Sequence, residues 1–179
     1  MPYTANYPAT VQEILRPGMK YKGDALRALK AFRRAKAWQG DLGERQEKFM
    51  TLHRALCGVY GLNTMLEFNN NSEEPGTSGN SYFDPANDRI VLQGKLSVVT
   101  YLHELGHARG WDERYACIWS VNLFARIFPR SFERCNFIGH MVVAGSPASE
   151  SLSPTNGMGL LDLLNLPGAV EALANAGAS

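Results

Sequence analysis

Residues 79–119, GNSYFDPANDRIVLQGKLSVVTYLHELGHARGWDERYACIW, contain the five residues on which the reading turns: His103-Glu104-Leu105-Gly106-His107. An α-helix completes a turn every 3.6 residues, so positions i and i+4 stand one above the other on one face. Two imidazoles at that spacing reach a single metal ion. Glu104 lies about 100° further round the helix. That puts it beside such an ion without having to bind it, where a base for a water molecule is wanted. Upstream, residues 96–102 (LSVVTYL) are mostly apolar, with Ser97 at the N-cap position. Downstream, Gly110 stands three residues beyond His107, where a helix stop is expected. The five residues are therefore read inside a buried helix. Burying three ionisable groups on one helix is costly unless a metal or partners compensate.

Working outward from this helix, Ser81-Tyr82-Phe83 and Arg89-Ile90-Val91-Leu92 read as two strands joined by the turn 84–88, DPAND. Leu62 to Phe68 reads as a third strand, followed by the polar loop 69–76. These make a small antiparallel sheet over 62–92. The first 60 residues are helical in pattern. A short helix from Val11 to Arg16 is closed by Pro17-Gly18. A second is N-capped by Asp24 and runs to about Trp38 on the apolar stripe Ala25, Leu26, Leu29, Phe32, Ala35 and Trp38. A third runs from Leu42 to Tyr60, with Phe49, Leu52 and Leu56 at helical spacing and Gly61 as its stop. His53 in this helix reads as a packed or surface histidine rather than a ligand. Beyond the HELGH helix, Asp112 is the N-cap of a helix from Glu113 to Phe128, stopped near Pro129. Residues 96–143 are read as the helices of the metal site, with an apolar stretch over 132–143. Residues 144–179 are read as a Ser/Pro/Gly-rich loop and a Leu/Ala-rich helical tail interrupted at Pro167-Gly168.

The chain of 179 residues is long enough for one domain with a sizeable core. A hydrophobic content of 45% with 20% charge belongs to an ordinary globular protein. No apolar run approaches the ~20 residues of a membrane helix. The N-terminus lacks a basic segment followed by an apolar one, so a cytoplasmic location is expected. Cys57, Cys117 and Cys135 are odd in number and without CxxC spacing, and read as buried thiols. Residues 1–60 carry 11 Lys/Arg against 5 Asp/Glu. A solvated helix face accounts for that surplus, and contact with nucleic acid or an acidic partner is the functional alternative.

HELGH is an instance of HExxH, in which two histidines bind Zn²⁺ and the glutamate serves as general base. With the hairpin ahead of it and the acidic helix behind it, the stretch 79–119 resembles the zincin metallopeptidases. It is most similar to small gluzincin-like domains of the ImmA/IrrE and ArdC type. The resemblance covers about a quarter of the chain. It implies an α+β, zincin-like fold, mostly helical, with its small sheet before the HExxH helix. It also implies a zinc-dependent peptidase acting on a protein or peptide substrate, with His103 and His107 as ligands and Glu104 as general base. Catalytic zinc takes three protein ligands. Glu113 occupies the position of the last histidine in HExxHxxGxxH enzymes and begins the helix from which gluzincins take their third ligand; His140 and Asp112 compete with it. For a group to stabilise the oxyanion, the candidates are His140, Tyr115 and Arg109. Asn156-Gly157-Met158-Gly159 is similar to a metzincin methionine turn, though simple core filling also explains a methionine there. The sheet edge near Arg89 to Leu92 is the candidate substrate-binding strand. Two other functions remain open at this point. One is a non-proteolytic metal-containing module binding nucleic acid or a host-defence protein; the other is an amidase on another substrate.

Overall fold

The computed structural model describes residues 11–16, 18–69, 81–94, 96–138 and 141–144. Six helices occur among them: α1 (Val11–Ile14), α2 (Gly23–Arg34), α3 (Leu42–Tyr60), α4 (Val98–Ala108), α5 (Glu113–Ile127) and α6 (Pro129–Phe132). A three-stranded sheet contains β1 (Met65–Asn69), β2 (Tyr82–Asp84) and β3 (Arg89–Gln93). A separate hairpin contains β4 (Cys135–Ile138) and β5 (Met141–Ala144). The fold is α+β and mostly helical. No helix among the described residues is long and apolar enough to cross a membrane.

The sheet is mixed, not antiparallel. Its order is β1-β3-β2, with β1 parallel and β2 antiparallel to β3. Parallel neighbours need a connection of a dozen or more residues, and the segment from Asn69 to Arg89 is long enough to carry the chain over β3 and back. Consequently β3 is the central strand, buried at Ile90, Val91 and Leu92, and is not the free edge expected near Arg89 to Leu92. Among the described residues the outer strands are β1 and β2. The turn between β2 and β3 forms as the sequence indicates. Asp84 accepts from the Ala86 N–H (3.1 Å), the Asn87 side chain (2.7 Å) and Arg89 Nε (3.1 Å).

Local chemistry sets most helix ends. Asp41 and Glu44 form a reciprocal capping box at the start of α3, and Gly61 (φ 70°) ends it in the left-handed conformation. Helix α2 is shorter than its apolar pattern. It starts at Gly23, so Asp24 lies inside the first turn rather than at the cap, and it ends at Arg34. Lys36 adopts φ 49°, the chain turns away, and Trp38 is 56% exposed instead of continuing the stripe. The third strand begins at Met65, not Leu62, because the chain first closes α3: Leu62 N–H donates to the Cys57 carbonyl. Cys135–Ile138 and Met141–Ala144 pair antiparallel as β4 and β5, where metal-site helices had been expected to continue. The tail 145–179 lies outside the described residues.

The buried side chains form one continuous cluster drawn from α1 to α6 and the three-stranded sheet. Phe32 meets Phe49 edge-to-face at 5.0 Å, and Phe49 meets Tyr101 at 5.9 Å, joining α2 and α3 to α4. Polar links fix the rest. Asn122 on α5 donates to the Ile14 carbonyl (2.6 Å), and Arg33 on α2 donates to the Ile127 carbonyl at the end of α5 (2.6 Å). His53 is buried, with Nε2 2.7 Å from the Thr64 carbonyl and Nδ1 3.0 Å from the Tyr101 hydroxyl. With Nε2–H donating to the carbonyl, Nδ1 accepts from Tyr101, and both ring nitrogens are satisfied. Cys57 and Cys117 are buried free thiols and Cys135 is half-buried.

Candidate metal centre

Helix α4 carries the two histidines, and its ends follow the sequence signals. The Ser97 side chain accepts from Thr100 N–H at the start. At the end Gly110 takes φ 83°, while the Gly110 N–H donates to the His107 carbonyl (2.8 Å) and the Trp111 N–H to the Gly106 carbonyl (3.2 Å). This paired closure is a Schellman motif, which needs a residue at positive φ. It turns the chain straight into α5, whose N-cap is Asp112, bonded to Tyr115 N–H at 2.8 Å. Capping engages the Asp112 carboxylate and leaves Glu113, the first residue of α5, facing α4.

Gly106 permits the approach of the two helices. A Cβ on it would stand 2.9 Å from Ala116 Cβ and 3.0 Å from Ala116 Cα. Only hydrogen fits there. The x-x between Glu104 and His107 is thus a leucine buried in the core and a glycine pressed against α5.

The result is a compact triangle. His103 Nε2 lies 3.0 Å from Glu113 Oε2 and 3.1 Å from His107 Nε2, and His107 Nε2 lies 3.4 Å from Glu113 Oε1. Ligands at about 2.0–2.1 Å from a tetrahedral zinc stand about 3.3 Å from one another. One donor atom from each of the three lies within 4.8 Å of the other two, close enough to share an ion, and two imidazoles with a carboxylate are a donor set that zinc accepts. Among the described residues these three form the group able to hold a metal. His107 Nδ1 lies 3.0 Å from the Trp111 carbonyl. Donation of Nδ1–H to that carbonyl orients the ring and leaves Nε2 facing the other two groups.

Electrostatics divides the two glutamates. Hydrogen bonds from His103 and His107 hold the Glu113 carboxyl far below the usual carboxylate range. Burial alone would lower His107, but Glu113, the Trp111 carbonyl and Glu104 outweigh it and raise its proton affinity. Glu104 is 7% exposed, and its burial raises its carboxyl, opposed in part by the two histidines and by the Phe83 backbone N–H of edge strand β2. One carboxylate is thus held ionised among the histidines, while its neighbour is pushed toward carrying a proton.

The structure brings His103, His107, Glu104 and Glu113 together. Tyr115, 60% exposed, lines a separate cavity with Arg109, and none of the three clustered residues lines that cavity. His140 and Met158 fall outside the described residues. Four participants escaped sequence reasoning: Gly106, Ala116, Trp111 and Phe83. The first two carry a faint signal, since small residues facing each other across a tight turn mark close helix packing. The other two act through their backbone atoms and carry none. Comparison with family models, with curated proteins and with solved structures finds no match.

Proposed function

We propose that this chain is a zinc-dependent metallopeptidase cleaving a peptide bond in a protein substrate. One observation carries the reading: the triangle of His103, His107 and Glu113 beside a buried glutamate of raised proton affinity. Zn²⁺ in that triangle would supply Lewis acidity, making a water molecule more acidic and polarising a carbonyl. The rest is the work of the chain's own side chains. Glu104 takes a proton from the attacking water as the C–O bond forms. It returns that proton to the departing nitrogen as the C–N bond breaks. A carboxyl raised by burial suits both halves of this shuttle, because it accepts more readily than an ordinary glutamate and still releases. The Trp111 carbonyl holds the His107 ring in position throughout, and Glu113 would complete the ligand set. An extended substrate would lie along β2, an outer strand among the described residues, whose Phe83 N–H donates to Glu104.

The test is cleavage of a peptide library by zinc-loaded protein. Chelator-sensitive cleavage is expected, with Glu104→Gln reducing it by about 10²–10⁴-fold while zinc affinity and melting temperature are retained. Wild-type rates in Glu104→Gln, or no zinc binding at all, would sink the proposal. Zinc bound without turnover of any peptide would leave a metal-holding binding module in its place.

A further inference from the structure

A second cavity, of about 330 Å³, lies behind the metal cluster, between residues 19–22, the end of α3 and the α4–α5 junction. Arg109 is its central feature. The guanidinium carbon stands 3.9 Å from the centre of the Tyr60 ring and 3.7 Å from that of Trp111, with Trp119 at 4.9 Å. Two rings that close to one carbon have no room on the same side, so the guanidinium is slotted between Tyr60 and Trp111. Nη1 is buried and finds no acceptor among the described residues. Stacking fixes the plane of the group, so an oxyanion entering the cavity would meet a planar donor of set orientation.

The surroundings define the ligand. Lys20 and Lys22 also line the cavity, and no acidic side chain among the described residues does. Lys22 Nζ donates to the Val59 carbonyl (2.8 Å) and stands 5.3 Å from the Tyr60 ring, both neutral partners. Three cations that form no ion pair among the described residues favour a dianion over a single carboxylate. The remaining wall is aromatic, including Trp119 and the exposed Tyr115, and such faces take planar rings. A purely structural arginine staple explains the stacking but not the two further lysines around the cavity, which have no ion-pair partner among the described residues. We propose that this cavity binds a nucleoside phosphate, with the phosphoryl group on the edge of Arg109 and the base against the aromatic wall. The site makes no use of the metal cluster.

Isothermal titration calorimetry on the full chain, with and without zinc, tests this. AMP is expected to bind saturably and equally in both conditions, at least about tenfold tighter than adenosine or inorganic phosphate. A 5′-phosphorylated oligodeoxyadenylate distinguishes the source: tighter binding than AMP identifies a strand terminus, weaker binding a free nucleotide. Arg109→Lys keeps the charge but loses the planar fork, and is expected to weaken AMP at least tenfold. Lys20→Glu, at the rim and away from the packed rings, should weaken it several-fold without loss of fold. The proposal is overturned by any of four results: no saturable heat at millimolar AMP; phosphate or adenosine alone matching AMP; binding that requires zinc; or wild-type affinity in both variants.

Discussion

Replacing Gly106 by alanine tests how the metal triangle is assembled. The added methyl would meet Ala116 Cβ at 2.9 Å and Ala116 Cα at 3.0 Å, with Trp111 Cε3 at 3.6 Å. Carbon atoms in contact sit about 3.5–4.0 Å apart. Ala116 Cα is backbone and has no rotamer to offer, so α4 and α5 must part by about 0.5–1 Å. Overpacking of this kind costs about 1–3 kcal/mol, while the gain in helix propensity from glycine to alanine returns about 1 kcal/mol. Gly58, in α3, is the internal control: a Cβ there meets nothing within 4 Å. Gly58→Ala should therefore show the propensity gain alone. Subtracting the two leaves the cost of the close approach, about 1–3 kcal/mol, or a melting-temperature difference of about 2–12 °C in a chain of this size. Zinc affinity should respond more sharply still. Metal–ligand distances tolerate only about ±0.2 Å, and the same displacement separates Glu113 from the two histidines, so a loss of at least about tenfold is expected. Differential scanning calorimetry and a competitive zinc titration read both quantities. Equal thermal gains for the two variants, with unchanged zinc affinity in Gly106→Ala, would refute the reasoning.

Three further outcomes follow from the same geometry. Gly110→Ala places a side chain at φ 83°, which costs about 1–2 kcal/mol and should lower the melting temperature by about 2–8 °C; no loss would mean that the Schellman turn is not required. Glu113→Ala should weaken zinc by more than the roughly 10–100-fold that an outer hydrogen-bond partner costs, while Asp112→Asn, which keeps a capping oxygen, should leave it unchanged; equal losses would reassign the third ligand. Burial lowers the proton affinity of His53, so the unfolded chain binds the proton that the folded chain refuses. The contribution of this residue to stability is complete above its unfolded pKa of about 6.5 and falls as the pH drops below it. Denaturant midpoints of wild type and His53→Gln between pH 7.5 and 5 should therefore diverge, with the wild type losing more; parallel curves would contradict the assignment.

The legible parts of the fold were those governed by neighbours in sequence. Ser97, Asp112, Gly61 and Gly110 each satisfy or terminate a helix end within a few residues, and the structure uses these four as read. What could not be read was non-local. Nothing in Met65–Asn69 announces that it pairs parallel to β3, because strand direction is decided by the path of the connecting chain. For the same reason β3 was taken for an edge. The apolar stripe of α2 continued past Arg34 on paper, yet the left-handed turn at Lys36 turned Trp38 out to solvent. At the candidate site His103, Glu104 and His107 were visible from spacing, whereas Glu113 came from the likeness to zincin patterns and competed there with His140 and Asp112. Their support was not visible: the Trp111 carbonyl on His107 and the Phe83 N–H on Glu104 are backbone groups, identical in every residue type and placed only by the tertiary fold.

The most direct measurement is an anomalous-difference map at the zinc absorption edge from crystals grown with zinc. The account predicts one strong peak about 2.0–2.2 Å from His103 Nε2, His107 Nε2 and a Glu113 carboxylate oxygen, beside Glu104 but not bound by it. A peak ligated by other residues, or no peak between these three side chains, would contradict it.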